Sequence, residues 1–595
     1  MSGATPPSDR VTSPEDRRDD PVPTMFTADP LVGLQPALLA SAAGRLARSV
    51  VSRPAVVARR GASLATRLGR VAVGTSDVAP ERGDRRFTDD AWRDNPVFRR
   101  IGQGYLATRE EVYRLIDEVD LDDKSAKRAQ FAVGIAVEVL SPTNSLANPV
   151  VLREARDTNG RSLVAGARNF VDDVQHNGAM PSMVDTTPFS VGENVAVTPG
   201  RVVHRSEVLE LIQYEPVTDQ VHERPMLFVP PQINKFYILD IGPGKSMVEH
   251  MVANGQQVFV VSWRNPTPAQ REWDLDHYVQ SLLDAIDVMR EITGSDDVNI
   301  TGACAGGITT AALLGHLTAI ESDAVNAATF LVTVLDTQGE SAVSPFVTKA
   351  TIAAAIRRSQ RKGVLEGSEL ARVFAWLRPN DLVCNYWVNN WLMGNDPPAF
   401  DILAWNGDVT NLPASLHADF LAFNRTNPFV NPGALEVLGT PIDLRAFTGD
   451  TYVVAGLTDH ITPWQSCQRT VELVGGETEF VLSSSGHIQA LVNPPGRKKS
   501  RYFVSGGQDD GAPEIDGAAA ETGGAEGETG VAGRPAQTDA EAWLAGAAEQ
   551  NGTWWDHWVA WLSSRSGSMV DAPATVGSDT NPPGDLAPGR YVHNL

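Results

Sequence analysis

One stretch in the middle of the chain, residues 298–310, restricts the possible folds more than any other. It reads Val-Asn-Ile-Thr-Gly-Ala-Cys-Ala-Gly-Gly-Ile-Thr-Thr, so a β-branched run leads into Gly302-x-Cys304-x-Gly306, and alanines and leucines then continue as a helix. A strand, a sharp turn and a helix with a reactive residue at the turn form a nucleophile elbow. Here cysteine stands where most such elbows carry serine.

The residues around Cys304 suit a reactive thiol. A strained turn at the cysteine leaves no room for a Cβ atom two residues to either side, where Gly302 and Gly306 stand. The helix that begins after the cysteine directs N–H groups and the positive end of its dipole at the sulfur, which favours the thiolate. The alternative is a buried structural cysteine in a glycine-rich turn, and partners elsewhere in the chain must decide between the two.

The pattern on both sides of the elbow alternates strands with helices. Alternation of this kind predicts a parallel sheet with right-handed crossovers. A helical region rich in Trp and Asn at 340–430 interrupts it, in the position where such sheets carry a cap. The predicted class is therefore α/β, with an α/β-hydrolase fold and a cap insertion. The expected strands are 208–214, 226–230, 236–240, 257–263, 298–300, 328–335, 451–456 and 479–482, and the expected helices among them are 245–254 and 275–292.

The remaining segments differ from this alternation in composition. Residues 1–30 are polar and rich in Pro, which predicts a disordered tail, and residues 31–195 are expected to form an α-helical N-terminal domain before the catalytic domain at 196–595. Residues 505–540 consist mainly of Gly, Ala, Glu and Asp, which predicts a flexible acidic loop. The helices expected in the N-terminal domain are 95–119, 122–139 and 148–174, the last with a break at 159–160.

A basic stretch lies inside the N-terminal region. Between Ala40 and Thr75 there is no acidic residue, while arginines recur among small apolar residues. This amphipathic pattern is typical of segments that adsorb to an apolar or anionic surface. It is equally typical of an ordinary helix with a solvated arginine face, and both interpretations stay open.

Composition excludes several classes of function. A net charge of −23 argues against general nucleic-acid binding. The three cysteines are odd in number and far apart, which predicts neither a disulfide framework nor a metal site. The first 30 residues lack the apolar core of a signal peptide, and no apolar run reaches the length of a membrane span. We therefore expect a soluble cytoplasmic protein.

A cysteine nucleophile needs a base, and the base needs an orienting acid. In this fold both follow the nucleophile, in the order acid then base, on loops after sheet strands. Asp459 follows the predicted strand 451–456, and His487 follows the predicted strand 479–482. His460 competes as the base, but it adjoins Asp459 and is assigned a supporting position outside the triad. Asp336, one strand earlier, competes as the acid.

The oxyanion hole should use the backbone N–H of Ala305, directly after the nucleophile. A second donor is expected in the loop at 230–235, after the first strand of the catalytic sheet. Pro230 and Pro231 have no N–H, which leaves Ile233 or its neighbour. A proline turn with a purely structural role is the alternative.

The chain also resembles a known family, the polyhydroxyalkanoate synthases, from about residue 85 to the C-terminus. The resemblance is closest to the class I and class II enzymes, which work without a second type of subunit. The long N-terminal extension and the acidic 505–540 segment depart from the family pattern. The motifs that carry the resemblance are Pro230-Pro231-Gln232-Ile233-Asn234-Lys235-Phe236-Tyr237-Ile238-Leu239-Asp240, Ser262-Trp263-Arg264-Asn265-Pro266, Gly302-Ala303-Cys304-Ala305-Gly306-Gly307, Ala404-Trp405-Asn406-Gly407-Asp408-Val409-Thr410-Asn411-Leu412-Pro413, Asp459-His460-Ile461-Thr462-Pro463-Trp464, and Gly486-His487-Ile488 with Asn493-Pro494-Pro495.

The resemblance implies a specific activity. It implies an acyltransferase that polymerises (R)-3-hydroxyacyl-CoA, with Cys304 as nucleophile, Asp459 as acid and His487 as base, and with no cofactor beyond the CoA thioester substrate. It further implies a homodimer that resides on the polyester granule. Two rival interpretations are a thiol-dependent hydrolase of the same fold, acting as thioesterase or depolymerase, and a non-catalytic granule-coat protein. The coat protein would use the basic stretch and the aromatic segment near 554–562 as its working parts.

Overall fold

The structure is a computed structural model that describes residues 36–81, 84–337, 348–377, 379–459, 461–506 and 540–593. The disordered tail predicted for residues 1–30 and most of the flexible loop predicted for 505–540 fall outside these ranges. No helix within the described ranges combines the length and the apolar character that crossing a bilayer requires.

The centre of the molecule is a ten-stranded sheet in the order β1-β2-β5-β4-β6-β7-β12-β13-β14-β15. The six strands from β5 to β13 are mutually parallel, which confirms the predicted parallel sheet, and the two strands at each edge are antiparallel. The strands are β1 Gly200–Arg205, β2 Leu209–Tyr214, β4 Met226–Val229, β5 Val258–Trp263, β6 Val298–Ala303, β7 Val325–Leu331, β12 Asp450–Gly456, β13 Thr478–Ser483, β14 Arg501–Val504 and β15 Ala548–Asn551.

The central strands are buried along their whole length and are mainly apolar, because helices cover both faces of the sheet. Every residue of β4, β5 and β6 is buried. The helix that follows β6 is buried from residue 305 to residue 317, so it forms part of the core. The helices that connect the sheet strands are α8 Met247–Ala253, α9 Leu275–Thr293, α10 Ala305–Ala319, α15 Trp464–Gln468 and α16 His487–Leu491.

One strand prediction is wrong, and a second is wrong in its bounds. Phe236–Asp240 is a 3-10 helix rather than a strand, and all five of its residues are buried. Because β5 and β6 already flank β4, the apolar run after β4 has no free sheet edge and packs into the core instead. Strand β7 ends at Leu331, four residues before the predicted end, because Val332 takes a positive φ of 43° and turns the chain away.

The described part of the segment between β7 and β12 is mainly helical, as predicted, and its role as a cap stays a prediction. Its elements include two π-helical segments, Asn380–Cys384 and Trp387–Leu392. Two short ladders accompany them, β8 Val364–Leu365 with β9 Leu412–Pro413 and β10 Glu436–Val437 with β11 Thr440–Pro441. The cap helices are α11 Lys349–Lys362, α12 Gly367–Leu377, α13 Asp401–Gly407 and α14 Ala414–Thr426.

The N-terminal region is helical, as predicted, and its expected helices agree with the structure within two residues. The predicted break at 159–160 is present, because Gly160 takes a left-handed φ of 79° ahead of the next helix. Pro54 begins the second of two helices in the basic stretch. The helices are α1 Pro36–Ser52, α2 Pro54–Ala72, α3 Ala91–Asp94, α4 Pro96–Glu118, α5 Asp123–Val139, α6 Pro149–Asp157 and α7 Arg161–His176.

Three arginines of the basic stretch, Arg59, Arg60 and Arg67, pair with glutamates of α4. Arg60 pairs with Glu118 at 2.5 Å and with Glu111 at 3.4 Å, and Arg67 pairs with Glu111 at 3.2 Å. The side chains of Arg60 and Arg67 are 19% and 20% exposed. The expectation of a solvated arginine face is therefore wrong for these two residues, since carboxylates distant in the sequence neutralise them.

The C-terminal segment packs against the sheet. Its aromatic helix, α18 Trp554–Ser563, buries Trp554, Trp555 and Trp558, and the Trp558 Nε1–H donates to Thr329 Oγ1 on β7 at 3.0 Å. This helix is preceded by α17 Ala540–Gly546. After it, β16 Met569–Asp571 pairs with β3 Gln220–His222, a ladder that the sequence analysis missed.

Candidate active site

The elbow has the geometry that its sequence predicts. Cys304 lies between β6 and α10 with φ 51° and ψ −117°, a strained conformation for a residue with a side chain. A Cβ atom at Gly306 would collide with the carbonyl oxygens of Val229 and Pro230, and one at Gly302 would collide with Thr310. The two flanking glycines are therefore required by close packing.

Asp459 and His487 meet at the carboxyl edge of the sheet, beyond β12 and β13. His487 Nδ1 lies 2.6 Å from Asp459 Oδ2. The other carboxylate oxygen of Asp459 accepts the backbone N–H groups of Ile461 at 2.7 Å and Thr462 at 2.9 Å. The carboxylate is thus held in one orientation, with an oxygen turned to the imidazole.

Cys304 belongs to the same group of side chains. Burial by itself lowers the pKa of His487, but the charges of Asp459 and Cys304, and hydrogen bonds to both, outweigh burial and raise that pKa. Burial raises the pKa of Asp459, but the charge and the hydrogen bond of His487 and further hydrogen bonds from Thr462 lower it overall. Since Nδ1 of His487 faces Asp459, the other ring nitrogen is the one available to Cys304.

The competing acid, Asp336, has other partners. Arg469 Nε lies 2.8 Å from Asp336 Oδ2, and Asn427 Nδ2 donates to Asp336 Oδ1 at 2.8 Å. The structure therefore brings Asp459, and not Asp336, to Nδ1 of His487. His460 lies outside the described residues, so its assigned supporting position stays a prediction.

The loop of the predicted second oxyanion donor packs on the elbow, through the contact of Gly306 with the Pro230 carbonyl. Side chains from the core and the cap fix this loop: Trp263 Nε1–H donates to Pro230 O at 2.8 Å, and Trp405 Nε1–H to Lys235 O at 2.7 Å. The Ile233 carbonyl accepts the Thr410 N–H at 3.1 Å. Ala305 is fully buried at the start of α10. The assignment of Ala305 and Ile233 as oxyanion donors remains a prediction.

Two residues of this site were missed by the sequence analysis. Thr462 contacts both Asp459 and His487, and the Cys467 thiol lies 3.6 Å from the Thr462 carbonyl oxygen. Burial raises the pKa of Cys467 well above its ordinary value, and the charge of Asp459 adds to that effect. The contacts of Asp459 with the backbone N–H groups two and three residues later form an Asx turn, whereas the contact of the Thr462 hydroxyl with His487 depends on the fold and has no signal in the sequence.

The described residues contain no group of three or more His, Cys, Asp or Glu side chains placed to hold a metal ion. The three cysteines form no disulfide with one another.

The fold and this cluster define a class, the α/β-hydrolase fold with a cysteine at the elbow. A family described as "alpha/beta hydrolase fold" matches residues 238–494, and one described as "Poly-beta-hydroxybutyrate polymerase (PhaC) N-terminus" matches residues 83–251.

Full-length relatives identify the family more closely. The chain is 47% identical to poly(3-hydroxyalkanoate) polymerase 1 of Ectopseudomonas oleovorans over 95% of this chain and 96% of that protein. It is 45% identical to polymerase 2 of the same organism, over 96% and 97%, and 38% identical to the polymerase subunit PhaC of Cupriavidus necator, over 88% and 85%. The chain belongs to the poly(3-hydroxyalkanoate) polymerase family.

Proposed function

We propose that the protein is an acyltransferase that polymerises (R)-3-hydroxyacyl-CoA into polyester and releases CoA through a covalent Cys304 thioester. The observation that carries the proposal is the contact of Cys304, His487 and Asp459 in one buried cluster, within a chain of the polymerase family. Cys304, Asp459 and His487 are only 4%, 6% and 7% exposed.

In the first step His487 takes the proton of the Cys304 thiol, and the sulfur attacks the thioester carbonyl of the substrate. The carbonyl oxygen becomes an oxyanion, which the Ala305 N–H and a second donor near Ile233 stabilise. Collapse of this intermediate breaks the bond to the CoA sulfur, and the proton held by His487 passes to that leaving sulfur. One thioester replaces another at nearly equal energy, so the acyl group stays activated. A serine would hold it as a less reactive ester.

In the second step a 3-hydroxyl group attacks the Cys304 thioester. His487, oriented by Asp459, takes the hydroxyl proton, and the same donors stabilise the second oxyanion. The products are an ester bond of the polymer and a regenerated Cys304, whose leaving sulfur takes the proton from His487. An oxoester is more stable than the thioester it replaces, and this difference drives chain growth.

Water competes with the hydroxyl as acceptor, so the site must be dry. The burial of the three side chains supports this requirement. Thr410 and Trp405 of the cap hydrogen-bond to the loop of the proposed second oxyanion donor, which supports a role for the cap at the site. We propose that the cap covers the acyl group during both steps.

The structure argues against one of the two granule-binding segments that the coat-protein alternative requires, the aromatic helix. The aromatic helix would have to present its rings to a granule, but Trp554, Trp555 and Trp558 are at most 1% exposed and serve as core. The hydrolase alternative uses the same cluster and differs only in having water as the acceptor. The reaction product therefore distinguishes the two, because a polymerase forms polymer and a hydrolase forms free hydroxy acid.

The test compares wild type with Cys304→Ala and Cys384→Ala, supplied with a hydroxyacyl-CoA. We expect wild type to release CoA with formation of polymer, Cys304→Ala to lose acyl-enzyme and CoA release, and Cys384→Ala to behave as wild type. Cys384 is a suitable control because it is equally buried, in the cap, and burial raises its pKa to about 11. Free hydroxy acid in place of polymer would establish the hydrolase, and turnover by Cys304→Ala would refute the nucleophile.

The resemblance also leads us to propose a homodimer that works on the polyester granule in the cytoplasm, without a cofactor. Sedimentation of the purified protein, before and after polymer formation, tests both associations. A monomer that stays in the supernatant throughout polymer synthesis would refute them.

A further inference from the structure

Thr462 occupies a distinctive place between the acid and the base. Its Oγ1 lies 2.6 Å from Asp459 Oδ2 and 3.0 Å from His487 Nδ1, while those two atoms are themselves 2.6 Å apart. The three polar atoms therefore form a closed triangle. Thr462 is 2% exposed, so no bulk water replaces its hydroxyl.

The chemistry of the three groups allows one arrangement of protons. An ionised carboxylate only accepts hydrogen bonds, so the Thr462 O–H must point at Asp459. The lone pairs of the Thr462 oxygen then face His487 Nδ1, which must carry a proton that Asp459 and Thr462 share. A His487 tautomer without a proton on Nδ1 would place its lone pair against two acceptor oxygens.

We infer that Thr462 is a positioning residue whose hydroxyl fixes the Nδ1-protonated form of His487, so that the opposite ring nitrogen always serves the Cys304 sulfur. This inference rests on the proposed function for the role of that sulfur. The backbone of Thr462 has a separate task, since its N–H binds Asp459 Oδ1 at 2.9 Å and its carbonyl meets the Cys467 thiol. Removal of the hydroxyl alone leaves those contacts in place.

Among the residues that the structure describes, the charged or titratable groups that act on this triangle are Cys304, Cys467 and Arg469. Asp459 and Cys304 act on His487. Cys467 faces Asp459 and lies within the influence of Cys304 and Arg469. Arg469 is itself paired with Asp336.

The experiment uses the full chain with Thr462→Val, Thr462→Ser and the control Thr470→Val. Thr470 is also buried, and its Oγ1 makes no hydrogen bond among the described residues, so the control removes a hydroxyl without removing a hydrogen bond. Two rates are measured: CoA release from a hydroxyacyl-CoA, and alkylation of Cys304 by iodoacetamide across pH. Mass spectrometry assigns the label, with Cys304→Ala as the blank, and the melting temperature of each variant shows whether it folds.

For Thr462→Val we expect both rates to fall roughly tenfold at neutral pH, the effect of one hydrogen bond to a charged group. The midpoint of the alkylation profile should move to higher pH, because the imidazolium that balances the thiolate loses a partner. Thr462→Ser should restore both rates within about twofold, and Thr470→Val should match wild type.

An alkylation profile of folded Thr462→Val that coincides with wild type would overturn the inference, as would a folded Thr462→Ser as slow as the valine variant. Alkylation needs no acyl substrate, which separates this inference from the proposed function. A wild type that makes no polymer, together with a shifted Thr462→Val alkylation profile, would refute the function and leave the role of Thr462 intact.

Discussion

The catalytic edge of the sheet and the arginine layer of the N-terminal helices handle charge in opposite ways. The catalytic edge, Cys304, Asp459 and His487, is nearly excluded from water, and each carboxylate oxygen of Asp459 has at least two hydrogen-bond donors. The arginine layer joins α2 and its N-cap residue to α4 and to the turn that follows α4, through ion pairs of graded exposure. Its arginines are Arg53, Arg59, Arg60 and Arg67, which pair with Glu110, Glu111, Glu118 and Asp120.

The comparison shows that the loss of activity or stability on removing a charge depends on how many of its partners water can replace. At the buried edge a lost partner leaves a charge without compensation, because the surroundings have a low effective dielectric. In the exposed part of the arginine layer water and salt take over the same task. Substitutions that each remove one charge should therefore have effects that fall steeply from the edge to the outer layer.

The largest effect is expected for His487→Gln. Glutamine keeps a polar group of similar size but cannot exchange a proton, so acylation of Cys304 should slow by two to four orders of magnitude, about the usual contribution of general acid–base catalysis. Stopped-flow measurement of CoA release in the first turnover reports this step. His316→Gln is a matched control, since His316 is also buried and, among the described residues, its ring makes hydrogen bonds only with the Thr440 hydroxyl and the Val437 carbonyl. An acylation rate near that of wild type would eliminate His487 as the base.

Asp459→Asn should have the next largest effect, and it should slow elongation more than priming. Priming needs only the exchange of thioesters, whereas elongation also needs a hydroxyl to lose its proton to the oriented imidazole. Rates of the first CoA release and of later polymer growth separate the two steps. Asp336→Asn is the control that sharpens the comparison, because this carboxylate pairs with Arg469 and Asn427 and should affect both steps little. Equal losses in priming and elongation for Asp459→Asn would count against its assigned role.

Glu111→Gln tests the deepest carboxylate of the arginine layer. Its side chain is 2% exposed and accepts from Ser63 at 2.9 Å, from Arg67 at 3.2 Å and from Arg60 at 3.4 Å. Loss of the charge should lower the free energy of unfolding by about 2 kcal/mol, the range of hydrogen bonds to charged groups. CoA release should be unchanged, since the layer is separate from the site.

The effect of Glu111→Gln should depend on pH. Burial raises the pKa of Glu111, but the hydrogen bonds from Ser63, Arg67 and Arg60 and the charge of Arg60 lower it overall. A depressed pKa in the folded state stabilises the protein above the unfolded pKa, and that stabilisation is lost as pH falls through the folded value. The difference between wild type and variant in urea unfolding should therefore be full at pH 7 and shrink below about pH 4.5. A difference that stays constant down to pH 3 would contradict this origin.

The same contrast explains what the sequence could predict. The elbow, Asp459 and His487 follow from local spacing and from the order of strands, because these side chains must sit at strand ends. The partners of the arginines could not be read in this way, since Arg60 and Glu118 are 58 residues apart and meet only through helix packing. The 3-10 helix at 236–240 was missed for a related reason, because its composition suits a strand and only the occupied edges of β4 exclude one.

The smallest effect is expected at the outer end of the arginine layer, for Asp120→Asn. Arg53 Nη2 lies 2.8 Å from Asp120 Oδ2, but the two side chains are 51% and 74% exposed. The loss in unfolding free energy at low salt should not exceed about 0.5 kcal/mol, and it should vanish in 1 M NaCl, where the screening length is only ~3 Å. The Ser49 hydroxyl donates to the backbone carbonyl of residue 120 at 2.9 Å, and this hydrogen bond is retained in the asparagine variant. The measured difference therefore reports the side-chain charge alone. Urea unfolding of both proteins at two salt concentrations gives the result. A loss of unfolding free energy that is independent of salt and as large as that of Glu111→Gln would contradict the prediction. It would show that exposure does not determine how much these charges stabilise the protein.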